Sequence, residues 1–253
     1  MWPVQKPVPV TLGHKPENVH GAELVIYSAA IMKDNPELTE AARLGIPTLE
    51  RSYLLGAVTR KFDNVIGVCG AHGKTTVTSM ITQILIDANL SPSAVIGGEA
   101  AVSAATLPLI GSNGICGDSE TLVCESCEYV DTFLKESPDI AVLLNVDEDH
   151  MEYFKTIDHL IGSFRQFIGS ATKYALVNGD GECRMIAADG IDTRVVTFGE
   201  RECDDYYAAN VAMSHGGFYE FDLCSGGKTL THISLGCPGR HNVANEGVAA
   251  GAG

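Results

Sequence analysis

The spacing of hydrophobic and polar positions predicts a chain in which strands and helices alternate. Short apolar runs bounded by Gly, Pro and Asn are typical of buried strands, and apolar positions at helical spacing are typical of amphipathic helices. Strands are predicted at Leu24–Tyr27, Ile46–Leu49, Val65–Val68, Ala94–Ile96, Thr121–Cys124, Ile140–Leu144, Tyr174–Val177 and Val195–Phe198. Helices are predicted at Pro36–Leu44, Ser52–Thr59, Lys74–Ala88 and Thr156–Ile168. This alternation predicts an α/β fold with a largely parallel sheet and helices on both of its faces.

The pattern changes after Gly199, where short strand-like runs follow one another without helices between them. These runs are Tyr206–Val211, Gly217–Leu223 and Thr231–Leu235, with a turn at Ser225–Gly227. They predict a small antiparallel β addition to the parallel sheet. A last helix is predicted to begin near His241 or Asn242 and to run to Gly253.

Composition and charge exclude two classes of partner. Apolar residues make up 45% of the chain and charged residues 19%, as in soluble globular proteins. The 17 Lys and Arg against 32 Asp and Glu give a formal net charge of −15, which argues against a nucleic acid or an anionic membrane as partner. No apolar run approaches the roughly 20 residues of a membrane span, and the N-terminus lacks a signal peptide. The expected location is therefore the cytoplasm, and the sequence does not specify an oligomeric state.

The eight cysteines do not predict a zinc site. Only Cys124 and Cys127 have the C-x-x-C spacing of metal or redox motifs, and no second such pair follows. We expect the eight cysteines to be reduced and to serve as small hydrophobic residues.

The segment Gly67–Thr76 has the features of a phosphate-binding loop. It follows a predicted strand and opens a predicted helix, which is the context that such a loop requires. Gly70 and Gly73 would let the backbone approach phosphates closely, and the amides of the helix N-terminus point at an anion. Lys74 would hold the β- and γ-phosphates, and the Thr75 hydroxyl would bind Mg²⁺. A glycine-rich turn that binds nothing is the alternative, which Gly-Lys-Thr-Thr in this context disfavours.

Acidic and histidine side chains follow two further predicted strands. Glu125 comes directly after Thr121–Cys124, and His150 ends the segment Asp147–His150 beyond Ile140–Leu144. A lone Glu or His at such a position is more often structural. Because the carboxyl ends of parallel strands converge where ligands bind, we expect Thr75, Glu125 and His150 to meet around a metal ion bound to the nucleotide.

Two amides at the start of the last helix are further candidates. Asn242 and Asn245 are three residues apart and so share one helix face. Amide side chains can donate to and accept from the edge of an adenine base. An Asn that caps the helix and binds nothing is an equally good interpretation, so the residues alone leave both open.

The motifs together resemble those of the Mur ligases, the enzymes that add amino acids to the peptidoglycan precursor. The resemblance rests on three segments in the same order and spacing: Gly70–Thr76, Asn145–His150 and Gly239–Asn242. It extends over nearly the whole chain from about Gly13. Further matching segments are Tyr27–Ile31, Asn35–Glu37, Gly45–Pro47 with Arg51, and Glu125–Tyr129. Together with His72, these are most similar to the branch of the family that joins L-alanine to UDP-N-acetylmuramate.

The resemblance implies a role for each matching residue. Gly70, Gly73, Lys74 and Thr76 would bind the phosphates, and Lys74 would neutralise charge as the γ-phosphoryl group moves. Thr75 and Glu125 would bind the nucleotide Mg²⁺, and His150 a second Mg²⁺ near the acceptor carboxylate. The adenine side would be formed by His241, Asn242 and Asn245, and the UDP-sugar side by His72 and Ser28. Ala71 stands where the family usually has Thr, which removes one hydroxyl from the loop.

The same resemblance predicts domains and activity. Residues 1–62 would be part of an N-terminal UDP-sugar-binding domain, and residues 63–253 a central ATP-binding domain of P-loop type. The start of the first domain and the whole C-terminal domain would be missing, so we expect this chain alone to bind Mg·ATP weakly and to form no product. The complete enzyme would use ATP and Mg²⁺ to join L-alanine to the carboxylate of UDP-N-acetylmuramate through an acyl phosphate, releasing ADP and phosphate.

Three alternatives stay open. The first is another Mur-type ligase that attaches a peptide or a different amino acid, because the amino-acid contacts would lie in the C-terminal domain. The second is an ATP-binding module that is catalytically incomplete. The third, a P-loop switch or motor ATPase, is disfavoured because Asp149-His150 and His241-Asn242 would have no role in it.

Overall fold

The structure is a computed structural model that describes residues 9–97, 113–179 and 181–252. The strands are β1 Val25–Tyr27, β2 Thr48–Glu50, β3 Asn64–Cys69, β4 Ser93–Val95, β5 Gly114–Ile115, β6 Thr121–Glu125, β7 Ile140–Leu143, β8 Tyr174–Asn178, β9 Val195–Gly199, β10 Tyr206–Met213, β11 Tyr219–Ser225 and β12 Lys228–Ser234. The helices are α1 Pro36–Leu44, α2 Arg51–Thr59, α3 Lys74–Asp87, α4 Met151–Phe154, α5 Ile157–Gly169, α6 Glu182–Ala188 and α7 His241–Ala252. Short 3₁₀ helices lie at Pro16–Val19, Tyr129–Lys135 and His215–Gly217.

Most strands of the described chain form one ten-stranded sheet. Its order is β12-β11-β10-β9-β8-β7-β3-β6-β4-β5, and β1 pairs with β2 in a separate parallel ribbon. All pairs of neighbours from β10 through β4 in this order are parallel. The pairs β10–β11, β11–β12 and β4–β5 are antiparallel. The chain leaves β3 to build β4 and β6 on one side and then returns to build β7 on the other. A sheet of this kind binds ligands in the crevice beyond the carboxyl ends of its strands, at the point where the strand order reverses.

Helices cover both faces of the central sheet, as the sequence predicts. Alternate residues of each strand point to opposite faces. One face packs its aliphatic side chains against α3 and α7, with Val68, Val142, Leu176, Val77, Ile81 and Val248 in this core. The other face packs against α5, with Leu143, Val177, Leu160, Phe164 and Phe167 in a second core. Strands buried on both faces have continuous apolar runs, which explains the clear strand signals in the sequence.

The helix-capping and turn residues predicted from the sequence adopt the expected conformations in the structure. The Asn35 side chain accepts a hydrogen bond from the Glu37 amide, and Pro36 fills the first position of α1. Gly45 ends the helix in the left-handed conformation with a φ of 70°. Gly226 and Gly227 both have positive φ in the turn between β11 and β12, as a two-residue hairpin turn requires.

The differences from the predicted elements are local. The second strand begins at Thr48 rather than Ile46, because Pro47 has no amide hydrogen and contributes only its carbonyl, to Val25. The short elements α4, α6 and β5 and the 3₁₀ helix Tyr129–Lys135 were not predicted, since such short segments carry little periodicity. The predicted end of the last helix at Gly253 lies outside the described residues. Among the described residues, none of the helices is long and apolar enough to cross a membrane.

Candidate functional site

The loop between β3 and α3 lies at the carboxyl end of the central strand. Gly70 and Gly73 have φ values of 138° and 86°, which glycine adopts without steric cost. A Cβ atom at Gly70 would lie 3.1 Å from the backbone of Asn145. A Cβ atom at Gly73 would lie 3.3 Å from the Oδ1 atom of Asn245. The loop is therefore enclosed by the segment after β7 and by the start of α7.

Asn145 fixes the loop backbone by a pair of hydrogen bonds. Its Oδ1 atom accepts from the amide of His72 at 2.8 Å, and its Nδ2 atom donates to the His72 carbonyl at 2.8 Å. The Ala71 amide donates to the Asn145 carbonyl at 3.4 Å. Asn145 was not among the predicted site residues, although its position directly after a buried strand was the available signal. The Asn145 side chain therefore fixes the loop backbone rather than binding a ligand.

Lys74 turns back toward the loop and toward a buried carboxylate. Its Nζ atom donates to the carbonyls of Gly70 at 2.6 Å and Ala71 at 3.2 Å. It also lies 3.0 Å from an oxygen of Glu128, whose side chain is only 1% exposed. A charge buried this deeply needs a partner, so Lys74 and Glu128 hold each other at the mouth of the loop. Sequence reasoning missed Glu128 as a site residue, although its place three residues after Glu125 was a signal.

Thr75 and Glu125 meet as the sequence predicts. The Thr75 hydroxyl donates to Glu125 Oε2 at 2.9 Å and lies 3.2 Å from the Gly97 carbonyl. The same Glu125 oxygen accepts from the Gly97 amide at 2.8 Å. These contacts place a hydroxyl, a carboxylate and a carbonyl oxygen together at the first turn of α3. Thr76, the next residue of that turn, is half-buried.

His150 groups with a different carboxylate from the predicted one. One ligand atom each from Glu128, Asp149 and His150 lies within 4.8 Å of the others. His150 has left-handed backbone geometry with a φ of 54°, and its ring centroid lies 4.8 Å from that of Tyr129. The described contacts thus form two sets, Thr75 with Glu125 and His150 with Glu128. Lys74 adjoins both, because it contacts Glu128 and precedes Thr75.

The amides of α7 are placed by contacts within the protein. Asn245 donates to the Oδ1 atom of Asn242 at 2.9 Å, and Asn242 donates to the Pro238 carbonyl at 2.9 Å. Asn242 is buried and is the second residue of α7, so it does not occupy the capping position. Asn245 faces Gly73 of the loop. His241 precedes them and packs against Gly239.

Of the two residues matched to the UDP-sugar side, His72 belongs to the loop and Ser28 lies just after β1. His72 is exposed on the loop, and its Nε2 atom lies 3.5 Å from Asp147. The Ser28 hydroxyl accepts from the Ala30 amide at 3.3 Å, just after β1. The described contacts do not bring Ser28 to the loop.

Two protein-family models match the chain. The family model described as "Mur ligase middle domain" matches residues 68–253, and the model described as "Mur ligase family, catalytic domain" matches residues 4–63. The chain belongs to the Mur ligase family. The loop, Glu125, Glu128 and the segment Asn145–His150 all lie within the matched middle domain.

Two curated relatives of this Mur ligase chain carry the same name. The UDP-N-acetylmuramate–L-alanine ligase of Alkaliphilus metalliredigens is 39% identical over 240 residues, covering 94% of this chain and 50% of the relative. The enzyme of the same name from Caldicellulosiruptor bescii is 42% identical over 239 residues, covering 93% and 51%. The chain therefore spans about half the length of the curated relatives it matches.

Solved structures share the fold of this Mur ligase chain. The UDP-N-acetylmuramate–alanine ligase MurC of Thermotoga maritima superposes with a TM-score of 0.81 at 25% identity, covering 96% of this chain and 54% of that one. The UDP-N-acetylmuramate:L-alanyl-gamma-D-glutamyl-meso-diaminopimelate ligase of Neisseria meningitides gives 0.77 at 25% identity, covering 95% and 76%. The predicted α/β architecture with a largely parallel sheet is confirmed.

Two cysteine thiols lie near the loop, and burial disfavours the reactive thiolate form of both. Cys69 ends β3 and is fully buried, and burial raises its pKa well above the usual range. Burial also raises the pKa of Cys127, beside Glu128. Neither thiol is favoured as a thiolate, which is the reactive form.

Proposed function

We propose that this chain forms the ATP-binding part of a ligase that joins L-alanine to the carboxylate of UDP-N-acetylmuramate. The reaction would pass through an acyl phosphate and release ADP and phosphate. The observation that carries the proposal is the loop with Lys74 and Thr75 set against two carboxylates, Glu125 and Glu128, in a chain 39–42% identical to ligases of that name. The proposed division is residues 1–62 on the UDP-sugar side and 63–253 on the ATP side.

Lys74 is proposed to bind the β- and γ-phosphates. Its Nζ atom already lies among the loop carbonyls of Gly70 and Ala71, where a phosphate cradled by the loop amides would be within reach. Gly70, Gly73 and Thr76 would complete the phosphate contacts. A lysine there neutralises charge that develops on the oxygens of the transferred phosphoryl group.

The donor atoms of the site fit Mg²⁺. The Thr75 hydroxyl, the Gly97 carbonyl and the Glu125 carboxylate supply the oxygen ligands that this ion prefers. Glu128 and His150, with Asp149 beside them, form the second group of ligand atoms. Mg²⁺ bound there would screen phosphate charge and polarise a phosphoryl or carboxylate oxygen. The protein's part is to hold Glu125 and Glu128 in fixed positions for that purpose.

The chemistry follows from the weakness of a carboxylate as an electrophile. Phosphorylation of the carboxylate gives an acyl phosphate with a good leaving group, which the amine of alanine can attack. Positioning of the carboxylate near the γ-phosphate would supply much of the rate enhancement, because a bimolecular step becomes effectively unimolecular. Lys74 would stabilise oxygens of the transferred group, and His150 would act through the metal ion that it helps to hold.

The remaining predicted site residues are proposed to contact the adenine of ATP or the UDP-sugar. His241, Asn242 and Asn245 are proposed for the adenine side, and the position of Asn245 beside Gly73 supports a place for it next to the phosphates. His72 and Ser28 are proposed for the UDP-sugar side. The protein is proposed to act in the cytoplasm, where ATP and UDP-sugars are made.

A second function is favoured by one observation. The Neisseria meningitides ligase superposes almost as well as the alanine ligase, and its name specifies a peptide rather than alanine as the group that it attaches. The ATP site would be the same in both enzymes. The two proposals therefore differ only in the amine substrate.

Nucleotide binding tests the site, and product formation tests the substrate. We expect the purified chain to bind Mg·ATP and Lys74→Ala to bind it at least about tenfold more weakly, since one charge-assisted contact is lost. Asp222→Asn, on the distant β11, is the control. Equal affinities for wild type and Lys74→Ala would contradict the site. In the complete enzyme with UDP-N-acetylmuramate present, ADP release that depends on a peptide rather than on L-alanine would favour the second function.

A further inference from the structure

A buried carboxyl group lies at the base of the loop that carries the acidic site residues. We call residues 125–136 the acidic loop. Glu136 ends it and is 9% exposed. Its Oε2 atom accepts a hydrogen bond from the Ser126 hydroxyl at 2.5 Å, at the other end of the loop, and lies 3.5 Å from the Cys124 thiol. Ser126 and Cys124 are both fully buried.

Among residues 9–97, 113–179 and 181–252, Glu136 forms no close ion pair. Burial raises the pKa of Glu136 to about 7, while Ser126, Cys124 and the charge of Arg51 on α2 act in the opposite direction. Cys124 and Ser126 belong to β6 and its extension, and Arg51 is the charged group that faces Glu136 from α2. A buried carboxyl group is costly unless it is hydrogen-bonded, so a purely packing role would be served better by an apolar side chain.

The backbone of the acidic loop is held in an unfavourable conformation. Val130 and Asp131 have φ values of 54° and 55°, in the left-handed region that β-branched residues such as valine avoid. Such geometry persists only where surrounding contacts over-determine it. At the far side of the loop, Asp131 accepts hydrogen bonds from the hydroxyls of Tyr153 and Ser163, each at 2.6 Å.

The base of the loop has its own fixed contacts. The Ser126 amide donates to the Val68 carbonyl at 2.9 Å, which extends the pairing of β6 with β3 by one residue. The Ser126 side chain then reaches Glu136. Glu125 precedes this point and Glu128 follows it by two residues. The hydrogen bond between Ser126 and Glu136 thus closes the loop beside both carboxylates.

We propose that Glu136 is a positioning residue for the metal–nucleotide site, closing the acidic loop through Ser126 and thereby setting Glu125 and Glu128 against Thr75 and Lys74. The inference deepens the proposed function and rests on it. Glu136 itself touches no reacting group. Its loss would let residues 126–128 move away from β3, while the loop amides and Lys74 keep their own contacts with the phosphates.

Loss of Glu136 is expected to weaken the metal-dependent part of ATP binding selectively. The probe is ATP, titrated with excess Mg²⁺ and with EDTA, and the quantity compared is the ratio of the two affinities. We expect Glu136→Ala and Ser126→Ala to reduce this ratio by about tenfold, as for the loss of a buried hydrogen bond, and to leave the affinity in EDTA unchanged. Glu136→Gln keeps an acceptor for Ser126, so it should restore the wild-type ratio.

Asp139→Ala is the matched control. The Asp139 carboxylate accepts from the Val65 amide at 2.9 Å, near the start of β3 and so at the opposite end of that strand from the site. Loss of this hydrogen bond should lower stability without changing the ratio of the ATP affinities in Mg²⁺ and in EDTA. An unchanged ratio in Glu136→Ala and Ser126→Ala, or an equal fall in Asp139→Ala, would overturn the inference. Ser126→Ala removes only one oxygen atom and keeps the test available if Glu136→Ala fails to fold.

Hydrogen exchange without nucleotide separates failure of this inference from failure of the proposed function. We expect amides of residues 126–136 to exchange faster in Glu136→Ala and Ser126→Ala than in wild type, and Asp139→Ala to leave them unchanged. A wild type that binds no ATP while this exchange pattern holds would overturn the ATP site alone. Unaltered exchange in both variants would overturn the closure of the loop by Glu136.

Discussion

At the residue scale, the site depends on which charges the fold buries together. Lys74 was expected from its motif, but its buried partner was not. The Lys74 side chain is 12% exposed and that of Glu128 is 1% exposed, so the pair is almost entirely removed from water. In such a pair each charge depends on the other, because an isolated buried charge has lost its hydration without compensation.

Lys74→Ala should therefore destabilise the fold as well as weaken ATP binding. We expect a loss of about 3–5 kcal/mol in the free energy of unfolding, the cost of leaving one member of a buried ion pair alone. The double variant Lys74→Ala/Glu128→Gln should recover most of that loss. Urea unfolding near neutral pH measures both. Equal destabilisation of the single and double variants would show that the pair is not what the lysine stabilises.

Glu136 should make stability depend on pH. Its pKa is raised from 4.5 to about 7 by burial, so the folded state binds the proton more tightly than the unfolded state. The resulting stabilisation is fully present below pH 4.5 and is lost as the pH rises through 7. Across that range we expect wild type to lose about 3 kcal/mol relative to Glu136→Gln. Urea unfolding at both ends measures it, and parallel pH profiles for the two proteins would contradict the assignment.

At the element scale, close packing fixes where the acidic loop sits. The 3₁₀ helix Tyr129–Lys135 lies against α2, and a Cβ atom at Gly56 would collide with the carbonyl of Lys135. The contact leaves room only for glycine, although Gly56 lies inside a helix, where glycine is unfavourable. The loop that carries Glu128 is thus supported from the N-terminal part of the chain.

Two Gly→Ala substitutions in helices should have opposite effects. Gly56→Ala must displace the Lys135 backbone, and we expect it to lower the free energy of unfolding by about 1–3 kcal/mol. Gly162→Ala in α5 meets no atom of the described residues within 4 Å, so it should raise that free energy by up to about 1 kcal/mol through helix propensity. Thermal unfolding of both variants compares them. A Gly56→Ala protein as stable as wild type would disprove the close contact.

At the scale of the whole molecule, a central parallel sheet carries the charged residues of the site. Loops at the carboxyl ends of β3, β6 and β7 supply Lys74, Glu125, Glu128 and His150 from sequence positions far apart. The antiparallel strands β11 and β12 extend the sheet at one edge, away from these loops. The net charge of −15 fits this arrangement, since the proposed triphosphate would be met by one lysine, backbone amides and metal rather than by a basic surface.

The fold was predictable in its order because each central strand is buried on both faces. Strands such as Ile140–Leu143 are continuous apolar runs, and α1 carries its own start and stop residues in Asn35 and Gly45. Short segments such as α4 were not predicted, because four residues show no periodicity. The loop Gly70–Thr76 was predicted from its glycine-rich motif between a strand and a helix, and the meeting of Thr75 with Glu125 from their positions beyond strand ends.

The sequence by itself determined the alternation of elements, the phosphate loop and the family resemblance, because these depend on local residue patterns. Only the tertiary structure decided which carboxylate faces Lys74, that Asn145 fixes the loop and that Glu136 closes the acidic loop. These contacts join residues distant in the chain, or the two ends of an irregular segment. They follow from the neighbours that β3 acquires in the sheet and from the packing of α2 and α5, which no local pattern specifies.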